Sequence, residues 1–297
     1  MGYLFLLIAL LSGSAKGYCG KKTSGYVREY KDAMFTNLAR MIFCVIISIG
    51  LLAVRGQFGL LATGSREILI TMLSGVTTSI FVVAWLISVR RGAYMMLDVF
   101  LMLGVTVPLL LSSMFFNETI RINQWIGLAI LFAAVLIMCS YNNQIKEKMS
   151  VGSLVLLIIC GIANGLTDFS QKMFVKTSPD TGVAVFNFYT YVFSAIVLLI
   201  FYAAAKIRDK SGAHSETDVM RQVGIYVLIM SVCLFANSYF KTLAAGILPS
   251  AKLYPLNQGA SLILSSLMSA VLFKEKMTAK CVVGIILSFA ALLVINL

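Results

Sequence analysis

Histidine is almost missing from this chain: one, His214, stands among 297 residues. It lies beside Glu216 and Asp218 in the longest polar stretch, 206–222. No apolar run contains an imidazole, so the sequence offers neither a histidine metal site nor a His-based acid–base centre there. That absence argues against an enzyme. Charge is scarce too. Asp, Glu, Lys and Arg make up 12% of the chain, against roughly 25% in an average soluble domain. The six cysteines form no CxxC pair and no disulfide pattern. Cys44, Cys139, Cys160, Cys233 and Cys281 sit in or beside apolar runs and read as small packing residues. The phosphate loop GxxxxGK[ST] is absent, so any work the protein does draws on a gradient, an exchange or a partner chain.

What is present is apolar sequence: 60% hydrophobic residues and a mean hydropathy of +0.93. Apolar runs of about 20 residues, the length that spans a bilayer as a helix, follow one another along the chain. The reading gives ten helices, at 2–20, 33–54, 67–89, 92–116, 123–142, 150–173, 183–205, 222–245, 249–273 and 278–297. The net charge of +12 does not indicate nucleic acid. Lys and Arg flank the apolar runs, as in membrane proteins oriented by charge. Residues 1–15 look like a short signal peptide without its positive start. Yet Ser12-Gly-Ser-Ala-Lys-Gly17 echoes Cys160-Gly-Ile-Ala-Asn-Gly165, so the segment is expected to remain as the first helix. The class expected is an all-α, multi-pass protein of the plasma (inner) membrane, with no cofactor and no metal.

The strongest pattern is internal. Residues 112–137 align without a gap to 269–294. Ser112/Ser269, Phe116/Phe273, Glu118/Glu275, Gly127/Gly284, Phe132/Phe289, Ala133/Ala290, Ala134/Ala291 and Leu136/Leu293 are identical pairs. The chain divides into 1–148 and 149–297, each with five predicted helices. Five is odd, so the second half enters the membrane from the opposite side, and the repeats are expected to be inverted.

Each half closes with F-x-E, a short turn, a Gly-bearing helix and a small apolar tail. The segment Lys241-Thr-Leu-Ala-Ala-Gly-Ile-Leu-Pro-Ser-Ala-Lys-Leu-Tyr-Pro-Leu includes a mid-helix proline, Pro255. In these features the chain resembles EamA-type members of the drug/metabolite transporter superfamily. The first half departs from the pattern, with Asp98 where the second has Pro255. The resemblance implies a cavity lined by helices 1, 3, 4, 6, 8 and 9, with helices 5 and 10 outside. It implies a secondary transporter of small organic metabolites, amino acids or organic anions, by alternating access and most commonly in export. An uncoupled channel or a non-transporting scaffold is the alternative. The expected partners are a small-molecule solute and the lipid bilayer. A coupling proton, an exchanged solute and a homo-oligomer are each compatible with the reading. The resemblance implies cytoplasmic termini, whereas the Lys/Arg bias favours cytoplasmic odd-numbered connections.

Glu118 and Glu275 each precede a helix and are expected to complement its positive end. Gly127 and Gly284 read as close-packing positions. Ionisable residues inside spans carry more information, because lipid tolerates them only when they face a cavity or a partner. These are Lys16, Arg40, Asp98, Asp168, Lys172, Lys241 and Lys252. Arg40 and Lys172 read as snorkelling side chains. Parity places Lys16 and Asp98 toward one side, and Asp168, Lys172, Lys241 and Lys252 toward the other. The expectation is two gate clusters, Lys16 with Asp98 and Asp168 with Lys241 or Lys252. Asn164, Asp168 and Gln171 share a face; Asn237 shares one with Lys241. Ser250, Tyr254, Gln258, Ser261, Ser265 and Ser269 form a stripe, and Trp85 with Thr78 forms an opposing wall. Lys252 is the leading candidate to bind a solute anion, with Lys241 second. Pro108 and Pro255 are expected to interrupt their helices.

Overall fold

The computed structural model describes residues 1–27, 29–91, 94–139, 151–208, 216–273 and 279–297. Among them the chain is helical throughout, with eleven α-helices: α1 Gly2–Ser24, α2 Tyr30–Arg55, α3 Ser65–Arg90, α4 Tyr94–Gly104, α5 Thr106–Phe116, α6 Ile122–Cys139, α7 Val151–Thr177, α8 Val183–Arg208, α9 Glu216–Ile247, α10 Ser250–Leu272 and α11 Ala279–Asn296. Local signals set several ends. The Glu29 N–H donates to the Asp32 carboxylate at 3.0 Å, closing a capping box at the start of α2. Gly56 ends α2 with φ 64°, a left-handed stop that glycine adopts at no steric cost.

The predicted helix 92–116 is two helices, broken at Val105. Pro108 accounts for the break. It has no N–H for the carbonyl of Gly104, four residues earlier. That carbonyl lies against α7, where a methyl group at Gly165 would collide with it. Pro255 behaves otherwise: α10 runs unbroken through it, which corrects the expectation of an interruption there.

Among the described residues six helices are long and apolar enough to cross a membrane: α1, α2, α3, α7, α8 and α9, the last two counted from Val183 and Val219. Shorter apolar pieces cover Phe100–Phe116, Ile122–Ala134 and Val282–Ile295. α10 falls outside both sets, and its composition explains why: Asn257, Gln258, Ser261 and Ser265 face inward. Large apolar side chains such as Leu4, Leu7, Leu11, Ile196 and Leu199 are exposed, while Asn37, Asn187, Asp168 and Gln171 are buried. This is the arrangement of a protein whose outer solvent is lipid.

The main helix pairs are α1 with α9, α3 with α7, α2 with α8, and α6 with α11. Exchanging the halves turns α1·α9 into α7·α3, α3·α8 into α9·α2, and α4·α7 into α10·α1, and all of these pairs are in contact. Directions follow from individual contacts. Gly2 meets Leu248 and Gly13 meets Asn237, so α1 and α9 are antiparallel. Glu67 meets Ser178 and Thr77 meets Thr167 at 2.9 Å, so α3 and α7 are antiparallel too. The face holding Met1 and the α9–α10 turn is called the first face, and the opposite one the second.

Close backbone approach joins α4 to α7. A methyl at Gly104 would overlap the Gly161 carbonyl, and one at Gly161 the Phe100 carbonyl. Gly104→Ala is therefore expected to cost about 1–3 kcal/mol or more by overpacking, read as earlier thermal unfolding in detergent. Unchanged stability would mean that the two helices can separate freely. Gly127 packs on Ala291 and Ile295 across the α6–α11 seam. Gly284 is buried, and its carbonyl accepts the Ser288 hydroxyl at 2.8 Å.

Candidate functional site

A polar cavity of about 70 Å³ lies between the halves. A second chamber of about 40 Å³ adjoins it and shares Lys16, Phe81, Asn164, Asn237 and Lys241. A liquid water occupies about 30 Å³, so this conformation has room for a few waters. Lys16 comes from α1, Phe81 and Trp85 from α3, Asp98 from α4, Asn164 from α7 and Gln258 from α10. No described residue of α6 or α11 lines either chamber. Along α10 the lining runs from Asn257 to Met268, a rise of roughly 16 Å, so the cavity extends toward the second face.

Toward the first face the interior is held shut by two layers of polar contacts. In the inner layer, Lys241 forms an ion pair with Asp168, and both are buried. The Tyr254 hydroxyl donates to the Asp168 backbone carbonyl at 2.7 Å. Tyr254 is thus part of this closure and lines neither chamber.

The outer layer centres on Lys172, which is 1% exposed. Its ammonium donates to the carbonyls of Ala245 at 3.0 Å and Leu248 at 2.8 Å, and pairs with Glu118 at 2.9 Å. These carbonyls end α9 and have no helical partner, so a lysine with three donors matches its surroundings. Glu118 also accepts the Ser250 N–H, the first of α10, at 2.8 Å. The Ser250 and Ser112 hydroxyls meet at 2.9 Å. Glu118 therefore serves the positive end of α10, in the other half, rather than the helix that follows it in sequence. Burial raises the Glu118 carboxyl, but hydrogen bonds from Lys172 and Ser250 outweigh it and hold the group below the ordinary carboxylate range.

Toward the second face the contacts differ in kind. The Trp85 ring packs directly on Gly20, where any side chain would collide with it. Tyr18 stacks on Phe273 at 5.6 Å, and the Lys21 ammonium sits 4.8 Å above the same ring. Lys16 and Asp98 line the same cavity, yet no ion pair between them is present among the described residues. Lys16 lies 5.6 Å from the Phe81 ring centre, a cation–π distance. Asp98 keeps one carboxylate oxygen, Oδ2, without a partner.

The other predicted residues fall as follows. Asn237 and Gln258 line the cavity, and Asn237 donates to the Ala9 carbonyl at 2.7 Å, tying α9 to α1. Asn164 is buried in the cavity wall, with its Nδ2 unpartnered. Lys252 stands half-buried in the first turn of α10 and lines neither chamber. Glu275 lies outside the described residues. Lys172 and Arg40 do not snorkel. Arg40 is 2% exposed, donates to the Asn37 side-chain oxygen at 2.5 Å and leaves its Nε unpartnered. Sequence reasoning missed Asn257, although Asn257, Ser261 and Ser265 recur every four residues along one face of α10.

A model of the EamA-like transporter family matches this chain twice, over residues 1–140 and 151–297. A search of curated proteins finds no match. A solved structure described only as "Crystal structure of protein" superposes with a TM-score of 0.70. That likeness covers 99% of this chain and 95% of the other at 13% identity, and it concerns the fold alone.

Proposed function

The chain belongs to the EamA-like transporter family, and we propose that it is a secondary active transporter exporting small organic metabolites across the plasma membrane. Transport runs by alternating access between two inverted five-helix repeats, 1–148 and 149–297. The carrying observation is the polar cavity between the halves, sealed toward the first face by contacts that join one half to the other. Lys172 and Ser250, in the second half, both bond Glu118 in the first. A rocking motion that parts the halves at this face must break those bonds. The self-mapping set of helix pairs supports the repeat, and the odd number of crossings per half supports its inversion. In this reading the structure is the conformer closed at the first face, with the way out at the second.

Counterflow tests it. The purified protein goes into liposomes preloaded with a mixture of unlabelled amino and organic acids, and entry of each labelled compound is followed. A transporter gives saturable uptake of at least one labelled solute, faster from preloaded than from empty vesicles. Uptake that rises linearly with concentration and ignores preloading marks a channel, and no uptake above protein-free liposomes marks a scaffold. Either result rejects the proposal.

A further inference from the structure

Several groups around the cavity have no complementary partner among the described residues. Lys241 is committed to Asp168. Lys16 has no carboxylate at ion-pair distance among the described residues, and an aromatic face, Phe81, is its recorded neighbour. Arg40, fully buried in α2, also lacks an acidic partner among the described residues; one side-chain amide oxygen is its recorded acceptor. Its acceptor, Asn37, donates in turn to the carbonyl of Val82, next in the chain to the Phe81 ring that faces Lys16. A buried guanidinium is costly unless something compensates its charge. Asn164, 7% exposed on the cavity wall, leaves its amide Nδ2 donor unsatisfied. On the α4 and α10 side of the same cavity the unsatisfied atoms are acceptors, Asp98 Oδ2 and Asn257 Oδ1.

Charge and hydrogen-bonding type therefore separate across the cavity. The Lys16 ammonium and the Asn164 Nδ2 offer donors, with the Arg40 charge behind them. Asp98 and Asn257 offer acceptors opposite. With all five groups ionised, Lys16, Arg40 and Lys241 against Asp98 and Asp168 leave one positive charge. A singly charged anion balances it, whereas a phosphate dianion overshoots.

We infer that this cavity binds the carboxylate of a small hydroxy acid, held by Lys16 and Asn164 against the Arg40 charge, with the acid's hydroxyl donating to Asp98 or Asn257. The inference rests on the transporter reading and names its solute class. It moves the anion site from Lys252 at the first face to Lys16 inside the cavity. Arg40 is a positioning charge: it fixes the potential of the pocket without touching the solute.

The protein carries its own reporter. It has two tryptophans, and Trp85 lines the cavity while Trp125 is half exposed on α6. The test uses the full chain with Trp125→Phe, in lipid nanodiscs, and follows Trp85 fluorescence during titration. The probes are 2-hydroxy acids with side chains from methyl to benzyl, their amides, the matching amino acids, and inorganic phosphate. The expected result is saturable quenching by at least one hydroxy acid. Its amide and phosphate bind at least tenfold more weakly, and the amino acid no more tightly than the hydroxy acid. Lys16→Gln should weaken the acid at least tenfold and leave the amide unchanged, while Lys16→Arg restores acid binding to within a few-fold. Thermal unfolding of each variant identifies any that fails to fold, and Lys16→Arg then carries the comparison. Equal binding of acid and amide, tighter binding of the amino acid, or no quenching by any acid would overturn the inference. Binding is read without transport, so counterflow without hydroxy-acid binding refutes this inference alone, and binding without counterflow refutes the transporter reading.

Discussion

Lys172→Met is expected to unlock the first face and accelerate hydrogen exchange of the α9–α10 turn by about a hundredfold or more. The ammonium is almost fully buried and makes three contacts, to two helix-ending carbonyls and to Glu118. Methionine keeps the length of the stem and removes every donor. Glu118 is then a partly buried carboxylate held only by Ser250, and the carbonyls of Ala245 and Leu248 lose their partner. Breaking a buried pair from one side costs about 3–5 kcal/mol. On the proposed rocking mechanism the lock exists in one conformer, so the cost falls on that conformer and shifts the population away from it. Exchange at Ser250 reads it directly, because its N–H is bonded only while Glu118 is in place. The effect has a defined pH dependence. A carboxyl whose folded pKa is depressed stabilises above its unfolded value, about 4.3, and loses that stabilisation as pH falls through the folded value. The Glu118 contribution to the lock is therefore constant above about pH 5, after correction for intrinsic exchange, and weakens in stronger acid. Unchanged exchange in Lys172→Met would show that these contacts hold nothing.

The second large effect concerns the inner pair. Asp168→Asn leaves the Lys241 ammonium buried without a counter-charge, and Lys241→Met leaves the Asp168 carboxylate so. Asp168 is 0% exposed and already has one oxygen unpartnered, so water has little room to compensate the loss of Lys241 there. Each single substitution should cost about 3–5 kcal/mol, whereas removing both charges together should approach wild-type stability. The measurement is denaturant unfolding in detergent as a double-mutant cycle. Losses that simply add would mean the two charges act independently. Function is expected to separate from stability here: the stable double variant keeps the cavity but loses the inner closure.

The all-α character and the long apolar helices were legible in the sequence, and the interior much less so. Spans announce themselves because lipid demands about 20 apolar residues in a row. The sequence repeat at 112–137 and 269–294 showed itself through identical residues at matching places, among them Gly127 and Gly284. Parity alone put Asp168 and Lys241 on one side, and they lie together there. A break was expected at both prolines and occurs only ahead of Pro108; which of the two interrupts its helix was not legible, since Pro108 and Pro255 look alike in sequence. The difference is that the carbonyl freed by Pro108 meets a glycine-paved groove on α7. Lys172 and Arg40 were misread for a similar reason. A long basic side chain near a helix end snorkels by default, and only a distant partner keeps it inside. For Lys172 that partner is a carboxylate from the other half, together with the end of α9. Glu118 was expected to complement the helix that follows it in sequence, whereas the helix start it bonds is that of α10, a neighbour in space.

The central claim is reciprocity between the two mouths, and spin-label distances in liposomes test it most directly. One label pair, at positions 117 and 247, spans the first face, and another, at 26 and 272, spans the second. All four residues lie at helix ends or turns on the surface. In the wild type the first-face distance should match the closed arrangement of the structure. In Lys172→Met it should lengthen, and the second-face distance should shorten in the same fraction of molecules. Lengthening at the first face with no change at the second would show two independent doors and contradict alternating access.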